Sequence, residues 1–367
     1  MRILYDHQIF SYQGYGGISR YFSELYREFS TMDGIEIQLG FEKSVNHYLN
    51  ELLSGRNSNI EQVDTSNLLH KYFIYKSNRK FCIKLLKENK FDVLHSTFYD
   101  PYTITHNKRP HIVTIHDMTP ELYPEYYSGT LYSYLISKKW IQGKKELVAK
   151  ADKIIAISNN TKKDIMEIYN TPARKIDVIY HGYNELPTPS GKLIPEPYIL
   201  YVGLRNKYKN FKTFVDGITP ILKKEKIKAL CIGGGAFTKK EVTLLKENNL
   251  EDYFIQMSVN ESGLASAYTH ALCFIFPSEY EGFGMPILEA FSCGCPVVLN
   301  NASCFPEIAK DAALYFNNKN LDEMRSAIKI VLDSAFEKKI LLEKAQKQLE
   351  RFSWTSTARQ VYDLYKS

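Results

Sequence analysis

Four prolines and a glycine between Asn184 and Pro197 cut this chain into two halves that repeat one pattern. The run Asn-Glu-Leu-Pro-Thr-Pro-Ser-Gly-Lys-Leu-Ile-Pro-Glu-Pro can hold neither a regular helix nor a ladder, because each proline lacks an N–H and fixes φ. It reads as an interdomain linker. On either side, short apolar runs alternate with amphipathic helical segments, the pattern of a parallel sheet covered by helices on both faces. At 367 residues the chain is too long for one ordinary α/β domain and comfortable for two of about 180 residues. The expected fold class is α/β, with two doubly wound, Rossmann-like domains facing across a cleft. Residues 1–185 form the first domain, 186–197 the linker, 198–350 the second domain and 351–367 a terminal helix. That helix carries Val361, Leu364 and Tyr365 on one stripe, which must be covered, so it is expected to cross back to the first half.

In the first half, Arg2 to Asp6 reads as a strand and leads into the turn-rich segment Tyr12 to Gly17. A helix follows with Ile18, Tyr21, Phe22, Leu25 and Phe29 on one face. Strand, glycine loop and helix N-terminus together can accept a phosphate, although Gly14-Tyr-Gly16-Gly17 lacks the third glycine of the dinucleotide fingerprint. Ile35 to Leu39 is the next strand. Residues 42–70 are polar and read only as an insertion. Phe91 to His95 and His111 to Ile115 look like buried parallel strands, and the second delivers His116 and Asp117 at its C-terminal end. Asp152 to Ile157 and Ile176 to Tyr180 complete the half, ending in His181. Ligands bind outside the C-terminal ends of such strands, which places the expected active site in the cleft.

The second half holds strands at 198–204, 227–232, 254–259 and 272–277, with helices at 210–222, 239–248 and 261–270 between them. Its last strand runs into residues 278–296, which hold two carboxylates and two glycines ahead of a short helix. Pro286 suits the first turn of that helix and Gly294 its end. The helix N-terminus favours an anion, and Gly282 and Gly284 would let one approach the backbone. Glu281 and Glu289 are eight positions apart and so do not share a helix face. Each needs its own task, or both are ordinary surface glutamates. Arg205, with Lys207 and Lys209 nearby, stands at the end of the first strand of this half and suits a pyrophosphate. Asn210 can cap the helix that follows.

The net charge of +6 divides evenly: residues 1–185 carry 24 basic against 21 acidic side chains, and the remainder 23 against 20. Neither half is therefore a nucleic-acid-binding domain. The basic charge gathers locally instead. Residues 71–90 interleave seven basic side chains and one acid with Tyr72, Phe73, Tyr75, Phe81 and Leu85. Residues 133–150 repeat the theme with Lys138, Lys139, Trp140, Lys144 and Lys145. Such segments suit either an anionic lipid surface or plain solvent. Six cysteines without framework spacing, and no signal peptide, point to a reducing cytoplasm. Cys293, Cys295 and Cys304 lack a fourth ligand and read as turn or core residues, so no metal site is expected.

Taken together, these segments resemble the family 4 glycosyltransferases, retaining enzymes of the GT-B fold. The resemblance rests on Gly16-Gly17-Ile-Ser-Arg20-Tyr21, on Thr114-Ile-His116-Asp117, and on Tyr201-Val-Gly203-Leu-Arg205 with Lys209-Asn210. Its fourth part is Ser278 to Pro296, the Glu-x7-Glu signature with its Gly-Phe-Gly centre, followed by Pro306-Glu307. It covers nearly the whole chain. It implies a catalytic set of His116, Arg205, Lys209 and Glu281. Gly16 and Gly17 would lie against the donor phosphates and His116 beside the transferred sugar, while Arg205 and Lys209 would neutralise the departing diphosphate. Either Lys207 or Lys209 could take the lysine role. Glu281 would hold sugar hydroxyls and Glu289 the ribose, along the donor-binding run Gly282, Phe283, Gly284, Met285, Pro286, Ile287, Leu288 and Glu289. No cofactor is implied: the GDP- or UDP-sugar donor is a substrate, and metal independence is expected. The resemblance leans towards mannosyl transfer from GDP-mannose to a saccharide or lipid-linked acceptor in O-antigen or other surface-polysaccharide synthesis. The enzyme would be cytoplasmic, with a peripheral place on the inner face of the membrane. The rivals are a sugar-nucleotide epimerase of the same architecture and a non-catalytic nucleotide-sugar-binding subunit.

Overall fold

The computed structural model describes residues 1–54, 59–127 and 129–367, leaving aside the side chains of Tyr132 and Lys207. The chain divides into two compact units, Met1–Gly182 with Trp354–Ser367, and Tyr183–Ser353.

The first unit is built on six parallel strands, β1 (Arg2–Tyr5), β2 (Glu36–Leu39), β5 (Val93–Ser96), β6 (His111–Ile115), β7 (Lys153–Ala156) and β8 (Ile176–Val178), in the order β2-β1-β5-β6-β7-β8. Between β2 and β5 a two-residue ladder joins β3 (Lys43–Ser44) to β4 (Glu61–Gln62). The insertion that could not be assigned from sequence thus holds this ladder and a helix, His47–Leu53, capped by Asn46; its residues 55–58 lie outside the described residues. The central strands are apolar on both faces because helices cover both. Ile3, Tyr5, Val93, Ile112 and Ile155 enter one core with Tyr21, Phe22 and Leu25 of the helix Gly17–Phe29.

Trp354, Ala358, Val361 and Leu364 of the helix Trp354–Lys366 join that same core. The helix is tied in by polar groups as well. Tyr365 Oη bonds His95 Nδ1 at 2.7 Å and Tyr5 Oη at 3.3 Å, and Thr357 Oγ1 donates to the Tyr180 carbonyl at 2.8 Å.

Two basic helices of this unit differ from the sequence reading. Helix Leu68–Glu88 buries Ile74, Tyr75, Asn78, Cys82 and Leu86, so Tyr75 is a core residue and not part of an outward aromatic face. Its hydroxyl donates to Asp100 Oδ2 at 2.7 Å. In helix Leu131–Lys150, Lys144 belongs to the run that suits a lipid surface or solvent, yet its side chain is 1% exposed. Gly143 explains the close seating: a Cβ there would meet the Tyr99 carbonyl oxygen at 2.0 Å. Among the described residues no helix is long and apolar enough to cross a membrane.

The second unit repeats the architecture with β9 (Tyr198–Val202), β10 (Lys228–Ile232), β11 (Phe254–Met257), β12 (Cys273–Phe276), β13 (Val297–Asn300) and β14 (Leu314–Phe316). All are parallel, in the order β11-β10-β9-β12-β13-β14. The order reverses between β9 and β12. At such a switch point the loops after the two strands diverge and leave a crevice. Helix Phe211–Glu225 follows β9, and Phe211, Phe214, Val215 and Ile218 pack it onto the sheet. Asn210 stands at its N-cap with φ +54° but gives the helix backbone no side-chain bond; its Oδ1 accepts from Thr213 Oγ1 at 2.8 Å. The expected cap is thus corrected to a side-chain clasp.

Candidate functional site

The loops after β9 and β12 bring Lys209 and Glu281 together at the switch point of the second unit. Lys209 Nζ stands 2.5 Å from Glu281 Oε1, with the two side chains 18% and 14% exposed. The glutamate's backbone is clamped as well: its N–H donates to Ser303 Oγ at 3.1 Å, and Ser303 Oγ donates back to the Glu281 carbonyl at 2.7 Å. Ser303, at φ +55°, was not found from sequence, since only the fold brings residue 303 beside 281. A further strut is the Glu279 N–H on the Tyr208 carbonyl at 2.8 Å, which joins the two loops directly. The side chain of Lys207, the alternative lysine, lies outside the described residues.

Beyond Glu281 the chain turns into helix Met285–Ser292. Gly284 is its N-cap at φ +90°, a left-handed conformation that a side chain would strain. An added Cβ would also press on Ile287 and Phe305, so this glycine serves the turn before any ligand. Pro286 lies in the first turn, and the Ile287 N–H is engaged by the Gly284 carbonyl at 2.9 Å. The amides of Gly284 and Met285 are then the candidates for an anion at the dipole's positive end. Phe283, Ile287 and Leu288 are buried, so their side chains belong to the core and only their backbone can serve a donor. Gly282 lies between the clamp and the turn. Glu289 sits one turn further on and accepts from Tyr268 Oη at 3.2 Å.

Arg205 departs from expectation. Its side chain is 2% exposed, and its N–H groups are committed. Nε donates to Glu241 Oε1 at 2.9 Å, Nη1 to the Gly233 carbonyl at 2.7 Å, and Nη2 to those of Gly235 and Ala236 at 2.7 and 3.0 Å. In place of an open guanidinium at the strand end, the fold uses Arg205 as a peg under the glycine loop after β10. Glu241 is held on its other oxygen by the Thr238 N–H at the start of helix Lys239–Glu247, so the peg also fixes that helix. Arg205→Lys is expected to cost the second unit about 3 kcal/mol, since a single ammonium cannot reach Glu241 and the carbonyls of Gly233, Gly235 and Ala236 together and leaves some of them without a donor. Urea unfolding reads this; unchanged stability with weakened donor binding would return Arg205 to the ligand side.

The first unit holds the other candidates. Gly16 is the N-cap of helix Gly17–Phe29, and a Cβ on Gly17 would meet nothing within 4 Å, so the backbone there is open to a ligand. Asp6, just after β1, accepts from the Thr97 N–H at 3.1 Å and from Thr97 Oγ1 at 2.5 Å, linking the loops after β1 and β5. Burial pushes the Asp6 carboxyl up to about 6.

His116 follows β6. It is buried, and its Nε2 has no hydrogen-bond partner among the described residues. Burial, reinforced by His181, His95 and Lys144, holds its imidazole well below the ordinary histidine range, so it is neutral at pH 7. The Tyr21 ring lies edge-on at 5.1 Å and the His181 ring at 5.5 Å. Below it, His95 Nε2 bonds Thr114 Oγ1 at 2.8 Å. A neutral imidazole with an unsatisfied nitrogen can exchange a hydrogen bond with a sugar hydroxyl without bringing a charge.

The turn that carries His116 is held by Lys144. Its ammonium donates to the Asp117 carbonyl at 2.9 Å and pairs with Glu121 at 3.0 Å, with the Glu121 side chain 3% exposed. Tyr169 Oη donates to the same carboxylate at 2.6 Å. The Tyr99 hydroxyl accepts from the His116 N–H at 3.1 Å, and the Tyr99 ring lies 4.8 Å under the Lys144 cation. Lys144→Met is expected to cost about 3–5 kcal/mol, because Glu121 is left buried and unpaired. Adding Glu121→Leu should recover most of that loss in chemical unfolding; no recovery would show that the lysine's packing, not its charge, holds the turn.

Residues 15–185 match the family model described as Glycosyltransferase Family 4, and residues 184–348 match the one described as Glycosyl transferases group 1. Over 297 residues, 77% of this chain and 76% of the relative, the sequence is 26% identical to the O-antigen chain mannosyltransferase B of Escherichia coli. It is 27% identical over 224 residues to the O-antigen chain mannosyltransferase RfbU of Salmonella typhimurium, covering 60% of each chain. Among solved structures, sucrose-phosphate synthase from Thermosynechococcus elongatus superposes with a TM-score of 0.72 at 16% identity, covering 100% of this chain and 98% of its own. HepE from Anabaena, in complex with UDP and glucose, does so with a TM-score of 0.71 at 16% identity, covering 100% and 99%. These structures speak for the GT-B fold.

Proposed function

Because the chain belongs to the family 4 glycosyltransferases, we propose that it moves a hexosyl group, mannose in preference, from a nucleotide sugar to a saccharide acceptor with retention at the anomeric carbon. The observation that carries this reading is the Lys209–Glu281 pair at the β9/β12 switch point, ahead of the helix Met285–Ser292. A lysine, an anion-seeking helix end and a hydroxyl-accepting carboxylate in one crevice fit a sugar diphosphate better than any one of the three alone. In this reading Glu281 accepts from sugar hydroxyls and Glu289 from the ribose diol, while Lys209 and the amides of Gly284 and Met285 meet the diphosphate. Negative charge grows on that group as the sugar departs, so these donors bind the transition state more tightly than the ground state. His116 bonds a hydroxyl of the transferred sugar, and Gly16 and Gly17 lie against phosphate. No metal ion is invoked.

The mannose preference and the place in surface-polysaccharide synthesis follow the two O-antigen mannosyltransferases among the relatives; the cytoplasmic setting and the lipid-linked acceptor belong to the proposal. Thermal-shift screening against GDP-, UDP- and dTDP-sugars, followed by donor hydrolysis and product stereochemistry, tests it. A GDP-mannose-selective shift that Glu289→Ala weakens is the expected result. Selectivity for a UDP-sugar would overturn the mannose assignment, and no response to any sugar nucleotide would overturn the transferase reading.

A further inference from the structure

The first unit exposes large apolar side chains at the N-terminal turns of its two basic helices. Helix Leu68–Glu88 presents Leu68, Leu69, Tyr72 and Phe73, the last 65% exposed; helix Leu131–Lys150 presents Leu131, Tyr134 and Leu135, the first 74% exposed. The two helices lead into β5 and β7, which are parallel, so both run against the strands and start at the sheet's C-terminal edge. They converge on one residue. Asp100, in the loop after β5, takes the Tyr75 hydroxyl at 2.7 Å, Arg79 at 3.5 Å and Lys139 at 3.8 Å. From that point each helix extends N-terminally by seven or eight residues, about 10–12 Å at the α-helical rise.

The two projections share a chemistry. Lys76 Nζ lies 4.7 Å over the Tyr72 ring and Lys138 Nζ 4.5 Å over the Tyr134 ring, so each carries an aromatic with a lysine one turn behind. No Asp or Glu occurs from Leu68 to Lys87 or from Leu131 to Lys145. The acid at their junction, Asp100, is already matched by Arg79 and Lys139. Apolar tips with cations one turn back, and no acid along either segment, match the depth profile of a membrane surface: acyl boundary first, then phosphate.

We propose that the N-terminal turns of these two helices form a docking surface for an anionic phospholipid leaflet. Leu68, Leu69, Phe73, Leu131 and Leu135 enter the headgroup–acyl boundary, and Lys76 and Lys138 meet the lipid phosphates. The surface explains how a chain with no spanning helix among its described residues reaches a lipid-linked acceptor; it rests on the transferase reading only for that purpose.

Flotation with phosphatidylcholine vesicles, and with vesicles of equal phosphatidylcholine and phosphatidylglycerol, tests it at low and high salt. The wild type is expected to float with the mixed vesicles alone and to be released by salt. The pair Leu69→Glu with Phe73→Glu, and the pair Leu131→Glu with Leu135→Glu, should each weaken binding about tenfold or more. Lys76→Glu with Lys138→Glu should do the same, whereas Phe336→Glu, at an exposed position of the second unit, should not. Equal flotation with neutral vesicles, no flotation, or a dimer that the apolar variants dissolve without changing flotation each overturns the proposal, the last naming a second copy as the occupant. Donor hydrolysis without lipid separates the two readings. Activity without vesicle binding sinks the surface alone, and vesicle binding without activity sinks the transferase assignment alone.

Discussion

Lowering the pH from 7 to 5 is expected to destabilise the first unit by roughly 5–10 kcal/mol, comparable to the whole stability of a domain. Five of its histidines are buried: His7, His95, His111, His116 and His181. Burial lowers His7, His95 and His181 to about 3 and His111 to about 4, with His116 also well below 6.5. In the unfolded chain each titrates near 6.5. Between that value and the folded one, the unfolded state therefore binds protons that the folded state refuses, and stability falls as pH falls. Asp6 works in the other direction. Its carboxyl, raised to about 6, binds a proton in the folded state that the unfolded chain takes up only near 3.8, so it offsets one of the five. The net uptake of about four protons on unfolding corresponds to a slope of about 5 kcal/mol per pH unit below pH 6. Both tryptophans, Trp140 and Trp354, lie in this unit, so their fluorescence follows it alone. Urea unfolding read by tryptophan emission should move steeply to lower urea between pH 7 and 5. His181→Phe should remove about one proton from the slope. A midpoint that stays level over this range would mean that the buried imidazoles are protonated in the fold.

Glu281→Gln and Lys209→Met are each expected to lower transfer about 10²–10³-fold. The pair is only 18% and 14% exposed, so breaking it also costs stability, and transfer is compared per folded enzyme. Its catalytic value comes from position: Ser303 fixes the Glu281 backbone, and Lys209 fixes its carboxylate, before a donor arrives. Glutamine keeps the shape but offers a neutral carbonyl, a weaker acceptor for sugar hydroxyls, and leaves Lys209 unpaired. Methionine removes the cation from the departing diphosphate and leaves Glu281 beside it as a repelling charge. A double-mutant cycle on kcat/KM should show strong coupling, the double variant being little worse than the worse single one. Near-normal transfer by either single variant would remove the pair from the active site.

Some residues behave as local rules alone would have them. Gly284 and Gly294 adopt positive φ at the two ends of the helix Met285–Ser292, and Pro286 sits in its first turn. Those roles follow from the missing Cβ and the missing N–H, which act within a few residues. Other residues are decided by what lies across the fold. Tyr75, Lys144 and Arg205 each occur in runs that read as surface or ligand-facing, yet each is buried on a partner remote in sequence: Asp100, Glu121 and Glu241. Their side chains are long and amphipathic, so one spacing suits either a solvated face or a buried pair, and composition cannot choose.

Local patterning was enough to locate the two β/α series, the strand ends where His116, Lys209 and Glu281 emerge, and the glycines that turn the chain there. Apolar periodicity and proline or glycine punctuation are local, and a parallel sheet turns them into position. Long-range packing sets the rest: Lys209 meets Glu281 while Arg205 turns inward, His116 is neutral and rests on a turn pinned by Lys144, and the exposed apolar groups of the two basic helices lie at their N-terminal turns. Those outcomes depend on burial and on partners 23 to 72 residues away, and the free energy of a buried charge is set by the partner it finds.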